Sequence, residues 1–280
     1  MVFFGQFIEK GSKNGMKDDR FSAIRQHLYS AGYSSIQEIA DAVGASPATI
    51  RRDLLALEAE GAIARTHGGA RIAESAGIEV AFEVREQRNL SAKRAIGDAA
   101  FETITPHSAI FLDAGTTVLQ VARRIRLNPL PLSVFTNCVT VAQVLMDVRD
   151  LKITLLGGHL RPQNASMVGS LAEDMLDRLW FDRLFLGAGA IAEDGCLYSL
   201  DEEEARLNEK MLSRAAVKTL LVDSSKFGQR LTYKVARLTA DVSIITDDAL
   251  DATWSKILKD AGCPPRLVRS PANDSVAGAA

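Results

Sequence analysis

Ser46-Pro-Ala-Thr-Ile-Arg-Arg-Asp-Leu-Leu-Ala-Leu-Glu-Ala-Glu-Gly61 is the stretch of this sequence with the clearest structural pattern. Ser46 suits a helix N-cap, and Pro47 suits the first helical position, where the N–H that it lacks would have no partner. An apolar stripe at helical spacing follows, formed by Ile50, Leu54, Leu57 and Ala59. The stripe turns the threonine and the two arginines of the first turns outward. The stretch therefore predicts an amphipathic helix with an exposed cationic start.

The segments on either side predict a compact DNA-binding domain around this helix. A first helix is predicted over Asp19–Ala31 and a short second helix over Ser35–Val43, which Gly44 ends. The alternating segment Ala62–Ile72 turns at Gly68-Gly69 and predicts a two-stranded hairpin. Three helices and a hairpin over residues 17–72 are typical of a winged helix-turn-helix, whose second short helix and third helix present side chains to the DNA major groove.

The charge of the chain limits how DNA is bound. The net charge is -2 over 280 residues, so the chain is not a general nucleic-acid coat and its positive field must be local. We expect Thr49 and Arg52 to hold phosphates and Arg51 to reach base edges, and an ordinary solvated face is the alternative for both arginines. The predicted DNA contacts are Ser46, Ala48, Thr49, Arg51, Arg52, Arg65, Thr66 and His67.

The remaining bulk features exclude several other classes of protein. The three cysteines, Cys138, Cys196 and Cys263, are widely spaced, which predicts neither a zinc site nor disulfides and favours a reducing compartment such as the cytoplasm. No apolar run approaches the length of a membrane span, and no motif predicts a metal or a cofactor. Residues 1–16 are expected to be a disordered extension, with Met16 as the alternative start.

A second domain is predicted over residues 92–250, after a linker at 73–91. Its pattern is a series of short apolar runs separated by helical segments, which predicts a Rossmann-like parallel sheet covered by helices on both faces. The predicted strands are 109–113, 132–136, 153–156, 183–187, 219–223 and 242–246, and the predicted helices include 92–104, 118–125, 139–147, 171–179 and 203–216. Residues 251–280 are expected to hold the end of a helix and a disordered tail.

Small or polar residues follow these strands, where open α/β sheets bind ligands. Asp113-Ala-Gly-Thr-Thr117 stands out, because its glycine admits an anion to backbone N–H groups at the start of a helix and its threonines add hydroxyl donors. Lys226 could hold a phosphate, while Asp113, Asn137 and Glu204 could bind hydroxyls. The predicted ligand is a small phosphorylated polyol, bound by Asp113, Gly115, Thr116, Thr117, Thr136, Asn137, Gly157, Gly158, Glu204 and Lys226.

Structural explanations compete with several of these assignments. Gly157 and Gly158 could exist only for a tight turn, and Thr116 and Thr117 could simply cap the helix that starts at Val118. The acidic run 201–204 is more often a solvated helix start than a binding site, so only Glu204 is retained from it.

Taken together, these segments resemble the DeoR family of bacterial transcriptional regulators over about residues 19–248. The resemblance rests on Ser46–Leu54, Arg65–Ala70, Phe82…Arg85…Asn89…Lys93, Asp113–Thr117, Thr136-Asn137, Gly157-Gly158…Gly169 and Asp223–Gly228. It implies an effector domain related to sugar-phosphate isomerases that serves as a sensor, self-association as a homodimer or homotetramer, and repression of carbohydrate catabolism genes. One departure is Asn208, where the family often has a lysine.

The main hypothesis is a repressor whose binding to a double-stranded operator is controlled by a phosphorylated sugar. A sugar-phosphate isomerase with an accessory DNA-binding domain is the alternative, although no obvious histidine or glutamate pair supplies its general base. An activator or an architectural DNA-binding protein with a vestigial ligand crevice is a weaker third interpretation.

Overall fold

The computed structural model describes residues 8–31, 33–59, 63–66, 68–72 and 82–270, with backbone only for 8–16 and a few later positions. The chain divides into two compact units, with the boundary between Val84 and Arg85. The N-terminal elements are α1 (Ile8–Ala31), β1 (Tyr33–Ser35), α2 (Ile36–Val43), α3 (Pro47–Ala59), β2 (Ile63–Thr66) and β3 (Gly69–Ile72). α1 begins well before the expected Asp19, at Ile8, and no proline interrupts it. Part of the predicted disordered extension is therefore helical, and residues 1–7 lie outside the described residues.

The three helices of the N-terminal unit enclose a small apolar core. Ser35 and Glu38 form a capping box at the start of α2, and Gly44 ends this helix in the left-handed conformation at φ 68°. The core contains Ile50, Leu54 and Leu57 of the predicted apolar stripe, together with residues of α1, α2 and the hairpin: Phe21, Ile24, Leu28, Ile39, Ala40, Ile63 and Ala70. The side chain of Ala59 lies outside the described residues.

The wing has one strand more than the sequence predicted. β2 and β3 pair antiparallel as expected, and β1 pairs antiparallel with β3 on its other side. Gly69 makes this third strand possible, since a Cβ at this position would lie 2.3 Å from the carbonyl oxygen of Ser34. A strand of three residues is too short for its alternation to be recognised in a sequence.

The predicted linker at 73–91 contains regular structure. α4 (Phe82–Gln87) and the first residues of α5 (Leu90–Phe101) occupy its second half, while residues 73–81 lie outside the described residues. Phe82 and Val84 are buried, so α4 is packed structure and not a simple linker. The periodicity of six residues is too short to identify a buried face.

The C-terminal unit is built on one parallel sheet. Beyond α5 it contains β4 (Ala109–Leu112), α6 (Val118–Leu127), β5 (Leu132–Thr136), α7 (Val139–Leu145), β6 (Leu151–Leu155), β7 (His159–Arg161), β8 (Ser166–Val168), α8 (Ser170–Leu176), β9 (Phe181–Leu186), β10 (Ala190–Ile191), β11 (Cys196–Ser199), α9 (Glu202–Leu212), β12 (Ala215–Leu221), β13 (Tyr233–Arg237), β14 (Val242–Asp247), α10 (Ala252–Asp260) and β15 (Pro265–Val268). Seven strands form the sheet, in the order β15-β14-β12-β9-β4-β5-β6. Every neighbouring pair in it is parallel. All six predicted strands belong to this sheet.

The central strands are buried on both faces, which explains their continuous apolar sequences. Phe111 on β4 and Phe181 on β9 pack with their ring centroids 5.0 Å apart, and both side chains are fully buried. Helix α5 packs against α6 closely enough that a Cβ on Gly97 would lie 2.7 Å from the Cβ of Gln120.

The structure corrects the sequence prediction at the end of the sheet and in its insertions. β15 lies in the expected disordered tail, where Pro265 is tolerated as the first residue of an edge strand. The helix predicted over 203–216 ends at Leu212, and Ala215 already belongs to β12. The hairpin β7–β8 and the small sheet β10-β11-β13 were not predicted, since their strands are short and interrupted. In the described part of the chain, no helix combines the length and the apolar character needed to cross a membrane.

Candidate functional site

The predicted recognition helix α3 begins as its sequence suggested. The Ser46 hydroxyl accepts a hydrogen bond from the backbone N–H of Thr49 at 3.2 Å, so it caps the helix. The two hydroxyl groups also lie 2.9 Å apart, which engages the side chain of Thr49 in the cap. Thr49, one of the two predicted phosphate contacts, thus lies at the capped N-terminus of a helix, where backbone N–H groups favour anions.

The exposed side of α3 carries a positive charge that its own acid does not cancel. Arg51 and Arg52 are exposed, and so is Ala48. Asp53, by contrast, is buried and forms a two-point contact with Arg20 of α1, at 2.6 Å to Nε and 3.2 Å to Nη2. Because Asp53 is neutralised inside the domain, the outer face of the helix keeps both cations.

The wing carries one more of the predicted DNA contacts. The Arg65 guanidinium lies 3.5 Å from the Glu58 carboxylate, and both side chains are about two-fifths exposed. An exposed ion pair of this kind contributes little to stability, so Arg65 can exchange Glu58 for a phosphate at small cost. The side chain of Thr66 and the whole of His67 lie outside the described residues.

The polar clusters after the strands meet along one edge of the parallel sheet. The strands that precede them, β12, β9, β4, β5 and β6, are consecutive neighbours. The chain leaves β4 toward β5 on one side and later returns to β9 on the other, so a topological switch point lies between β4 and β9. Such a point opens a crevice at the carboxyl ends of the strands, where ligands bind in open α/β sheets.

Asp113 lies at the switch point and is buried. Its Oδ2 accepts a hydrogen bond from the Gly187 N–H at 3.0 Å, while Oδ1 has no partner among the described residues. Burial raises the pKa of the Asp113 carboxyl from 3.8 to about 7, and the negative charge of Glu204 acts in the same direction. Gly115 keeps the crevice narrow, since a Cβ on it would lie 3.4 Å from the Cα of Gly187.

The neighbouring predicted residues are buried around Asp113. Thr117 makes no side-chain cap on α6, so capping does not account for it, and both Thr116 and Thr117 are buried. Asn137 is fully buried, and neither its Oδ1 nor its Nδ2 has a hydrogen-bond partner in the described part of the structure. The Thr136 hydroxyl accepts from the N–H of Cys138 at 3.0 Å and shapes the turn after β5. Unpaired buried amides are costly and call for an explanation, which a ligand would supply.

Glu204 is less available than the sequence suggested. Its carboxylate accepts hydrogen bonds from Arg161 at 3.0 Å, Asn164 at 2.7 Å and Ser199 at 3.2 Å. Three donors already share its two oxygens, so a ligand hydroxyl that binds Glu204 would have to compete with them, and its role as a ligand contact stays a prediction. These partners come from the unpredicted hairpin β7–β8 and from β11, so sequence spacing could not reveal them.

Gly158 has a structural explanation, whereas Gly157 stays a predicted ligand contact. The Gly157 N–H lies 3.1 Å from the sulfur of Met175. A Cβ on Gly158 would lie 2.4 Å from the carbonyl oxygen of Val168, and its φ is +141°. Gly158 therefore allows the hairpin β7–β8 to close, which is the turn interpretation rather than the ligand interpretation.

A group of cations lies beside this crevice, and of its members the sequence predicted only Lys226 as a ligand contact. Lys93 on α5 is buried, and burial lowers its pKa from 10.5 to about 8. The negative charge of Asp223 raises the pKa, and the charges of Lys226, Arg85 and Arg88 lower it further. Arg85 also lowers the pKa of Asp113, which links this cation group to the switch point. A local excess of positive charge suits an anionic ligand.

A separate cavity of about 590 Å³ lies at the ends of β12 and β14. The described residues that line it include Asp247, Asp248, Asp251 and Trp254, and none of them is a lysine or an arginine. This cavity does not suit a phosphate. No cluster of histidine, cysteine and acidic side chains in the described residues could hold a metal ion.

Comparisons with known proteins extend over both units of the chain. The family described as "DeoR-like helix-turn-helix domain" matches residues 20–76, and "DeoR C terminal sensor domain" matches residues 88–248. The HTH-type transcriptional regulator GlpR of Haloferax volcanii is 40% identical over 81% of this chain and 89% of its own length. The glycerol-3-phosphate regulon repressor of Escherichia coli K12 is 31% identical, over 86% and 95%.

Among solved structures, ribose 5-phosphate isomerase A of Methanocaldococcus jannaschii shares 18% identity at a TM-score of 0.37. The match covers 50% of this chain and 55% of the isomerase. At this level the similarity is too weak to indicate a shared activity.

Proposed function

Because the chain belongs to the DeoR family of transcriptional regulators, we propose that it represses genes of carbohydrate use and that a phosphorylated sugar controls its binding to DNA. The relatives described above are named as regulators and not as enzymes, so the isomerase alternative is set aside. The Escherichia coli relative is named for the glycerol-3-phosphate regulon.

The observation that carries the effector proposal is the burial of Lys93 among other cations. An ammonium group with a pKa near 8 is destabilised in its charged form. A phosphate placed beside it would offset both the desolvation of the ammonium group and its repulsion from Lys226 and Arg85. The hydroxyls of Thr116 and Thr117 would add donors to the same anion.

The polyol part of the effector is proposed to pair with the unsatisfied groups of the crevice. Asp113 Oδ1 and the amide of Asn137 offer two acceptors and a donor, which together match the alternating donors and acceptors of adjacent hydroxyls. A ligand that leaves them unpaired would lose affinity, which would give the site its preference for polyols over inorganic phosphate.

For DNA, we propose that Arg51 reads base edges while Arg52 and the capped N-terminus of α3 hold phosphates. The wing would add Arg65, Thr66 and His67 to the backbone or the minor groove. One DNA-binding domain of this size cannot supply the contacts that genomic specificity needs, so a homodimer or homotetramer on repeated half-sites is proposed. We place this activity in the cytoplasm, in keeping with three free, buried cysteines.

The DNA assignment is tested on an operator selected from a random duplex library. Arg51→Ala is expected to relax preference at one base pair by about 1–3 kcal/mol, whereas Arg52→Ala should weaken all sequences alike and lower the salt slope by about one. Arg149→Ala, an exposed arginine of the C-terminal unit, is the matched control. An unchanged base preference in Arg51→Ala would contradict the assignment.

The effector assignment is tested by calorimetry with sn-glycerol 3-phosphate, fructose 6-phosphate and galactose 6-phosphate. One of them should bind the wild-type chain, and Lys93→Met should weaken that binding at least tenfold, since a buried charged contact to phosphate is lost. Lys152→Met removes an exposed lysine at the opposite end of the sheet and should leave binding unchanged. Equal affinity in both variants would show that the anion binds elsewhere.

A further inference from the structure

Arg85 connects α4 to the effector crevice through a side-chain hydrogen bond. Its Nη2 donates to Oδ1 of Asn164 at 2.5 Å and to the carbonyl oxygen of Gln163 at 3.3 Å. Nδ2 of Asn164 in turn donates to Oε1 of Glu204 at 2.7 Å. Asn164 is almost fully buried, so its amide joins the two charged groups with both ends of one side chain.

The residues that follow Arg85 are tied to the crevice as well. Glu86 forms an ion pair with Arg123 on α6, the helix that the Asp113–Thr117 loop leads into. The Asn89 amide donates to the Asp223 carboxylate at 2.9 Å, and Lys93 donates to the backbone carbonyl of Arg85. We call residues 85–93 the connector segment. It carries chemistry of the effector crevice although it lies at the start of the C-terminal unit.

The position of the connector segment in the chain gives these contacts a consequence. The boundary between the two compact units falls inside α4, immediately before Arg85. Only residues 73–81 separate the last strand of the wing from α4 in the sequence. Any change in how firmly Arg85 is held therefore acts on α4, the helix that follows the DNA-binding domain in the sequence.

We propose that the hydrogen-bonded chain Arg85–Asn164–Glu204 reports the state of the effector crevice to α4, with Arg85 as the positioning residue. The proposal rests on the effector function put forward above. A ligand hydroxyl that binds Glu204 competes with Asn164, and a ligand anion near Arg85 competes with the Asn164 oxygen. Either competition redistributes the hydrogen bonds of Asn164 and alters the anchoring of α4. Coupling of this kind needs a ligand that interacts differently with the two arrangements, which the competition supplies.

The first test needs no ligand and uses amide hydrogen exchange on the full chain. Asn164→Ala removes the link between Arg85 and Glu204. It is expected to raise exchange of the α4 amides at least tenfold relative to wild type, since local opening is governed by the contacts that hold a segment. Gln163→Ala is the matched control, because only the backbone carbonyl of Gln163 contacts Arg85. The β5 amides should exchange alike in all three proteins, which shows that the sheet is intact. Equal exchange of α4 in the two variants would overturn the proposal.

The second test adds sn-glycerol 3-phosphate and, as a separate probe, inorganic phosphate. A probe that binds the wild-type chain should change both α4 exchange and operator affinity. In Asn164→Ala the change in operator affinity should shrink at least fivefold relative to wild type, while the probe still binds. A merely structural role for Asn164 would instead leave the ratio of operator affinities with and without probe unchanged, and that result would refute the coupling. If neither probe binds the wild-type chain, the effector assignment loses its support, and the exchange comparison still decides whether Asn164 anchors α4.

Discussion

Replacing Asp113 by asparagine should stabilise the C-terminal unit near pH 8 while weakening effector binding. The variant keeps an acceptor for the Gly187 N–H, which now donates to Asp113 Oδ2 at 3.0 Å. It replaces the second oxygen, which has no partner among the described residues, by a neutral amide. The substitution therefore removes a buried charge without removing the hydrogen bond that orients the side chain.

The size of the effect follows from the pKa. The carboxyl has a pKa of about 7 in the folded chain against 3.8 in its ordinary state, so the folded chain binds a proton more tightly than the unfolded chain. A raised carboxyl pKa adds stability below the unfolded value, and this stability is lost as the pH rises from about 4 to about 7. At about 1.4 kcal/mol for each tenfold change in the dissociation constant, the full loss is about 4 kcal/mol. The asparagine variant has no such loss.

Urea unfolding at pH 5, 6, 7 and 8 measures this difference, followed by tryptophan fluorescence. Both tryptophans, Trp180 and Trp254, lie in the C-terminal unit, so the signal reports on the domain that contains Asp113. The advantage of Asp113→Asn over wild type should grow by about 2–3 kcal/mol between pH 5 and pH 7 and then level off. Other titrating groups are common to both proteins and cancel in the comparison.

Two results would refute this reasoning. An advantage that does not change with pH would mean that ionisation of Asp113 is not the cause, and a less stable variant at pH 8 would mean that the carboxylate is well solvated or paired. Calorimetry with the bound sugar phosphate completes the test. Weakened binding together with higher stability would show that the carboxylate is kept for the ligand and not for the fold.

Further predictions concern the packing of each unit and the cation group. Gly97→Ala should lower the stability of the C-terminal unit by about 1–3 kcal/mol, because the new Cβ would meet Gln120 at 2.7 Å and this clash exceeds the gain in helix propensity; the urea midpoint measures it. Asp53→Ala should destabilise the N-terminal unit by about 1–3 kcal/mol through loss of the two-point contact with Arg20, seen as faster amide exchange in α1 and α3, whereas exchange equal to wild type would mean that the pair contributes nothing. Affinity for the sugar phosphate should fall as the pH rises past about 8, by up to tenfold per pH unit, because Lys93 then loses its proton; Lys93→Met should abolish that dependence.

The sequence predicted the elements whose signals are local. Ser46 and Pro47 at the start of α3, the apolar stripe through Ile50 and Leu54, and the continuous apolar runs of the central strands each depend on residues within one or two turns. Helix caps and burial periodicity act over that range, so one sequence is enough to recognise them. The additional strands β1 and β15 have no such local signal, since three or four residues acquire their structure by pairing with a neighbour.

The residues of the crevice likewise fall into those that the sequence could predict and those that it could not. Asp113 and Asn137 could be found because polar residues directly after buried strands gather at one edge of a parallel sheet. The partners of Glu204 could not, because Arg161 and Asn164 lie in an insertion 40 or more residues away, and their contact depends on how the hairpin β7–β8 folds over α9. Lys93 was not predicted as a ligand contact for a different reason. Its importance comes from burial beside other cations, which no spacing in the sequence expresses.

Burial of charge has opposite meanings in the two units. Asp53 is buried but paired at two points with Arg20, so it belongs to the structure of the DNA-binding domain. Asp113 and Lys93 are buried with their charged forms destabilised, and each would be stabilised by a ligand that brings the missing partner. A ligand that supplies these partners would offset the free-energy cost of burying the two charged groups, and this gain would contribute to its affinity. Lys93 itself belongs to the connector segment and donates a hydrogen bond to the backbone carbonyl of Arg85, whose charge also lowers the pKa of Asp113. Arg85 is therefore coupled to both groups whose environment a ligand would change most.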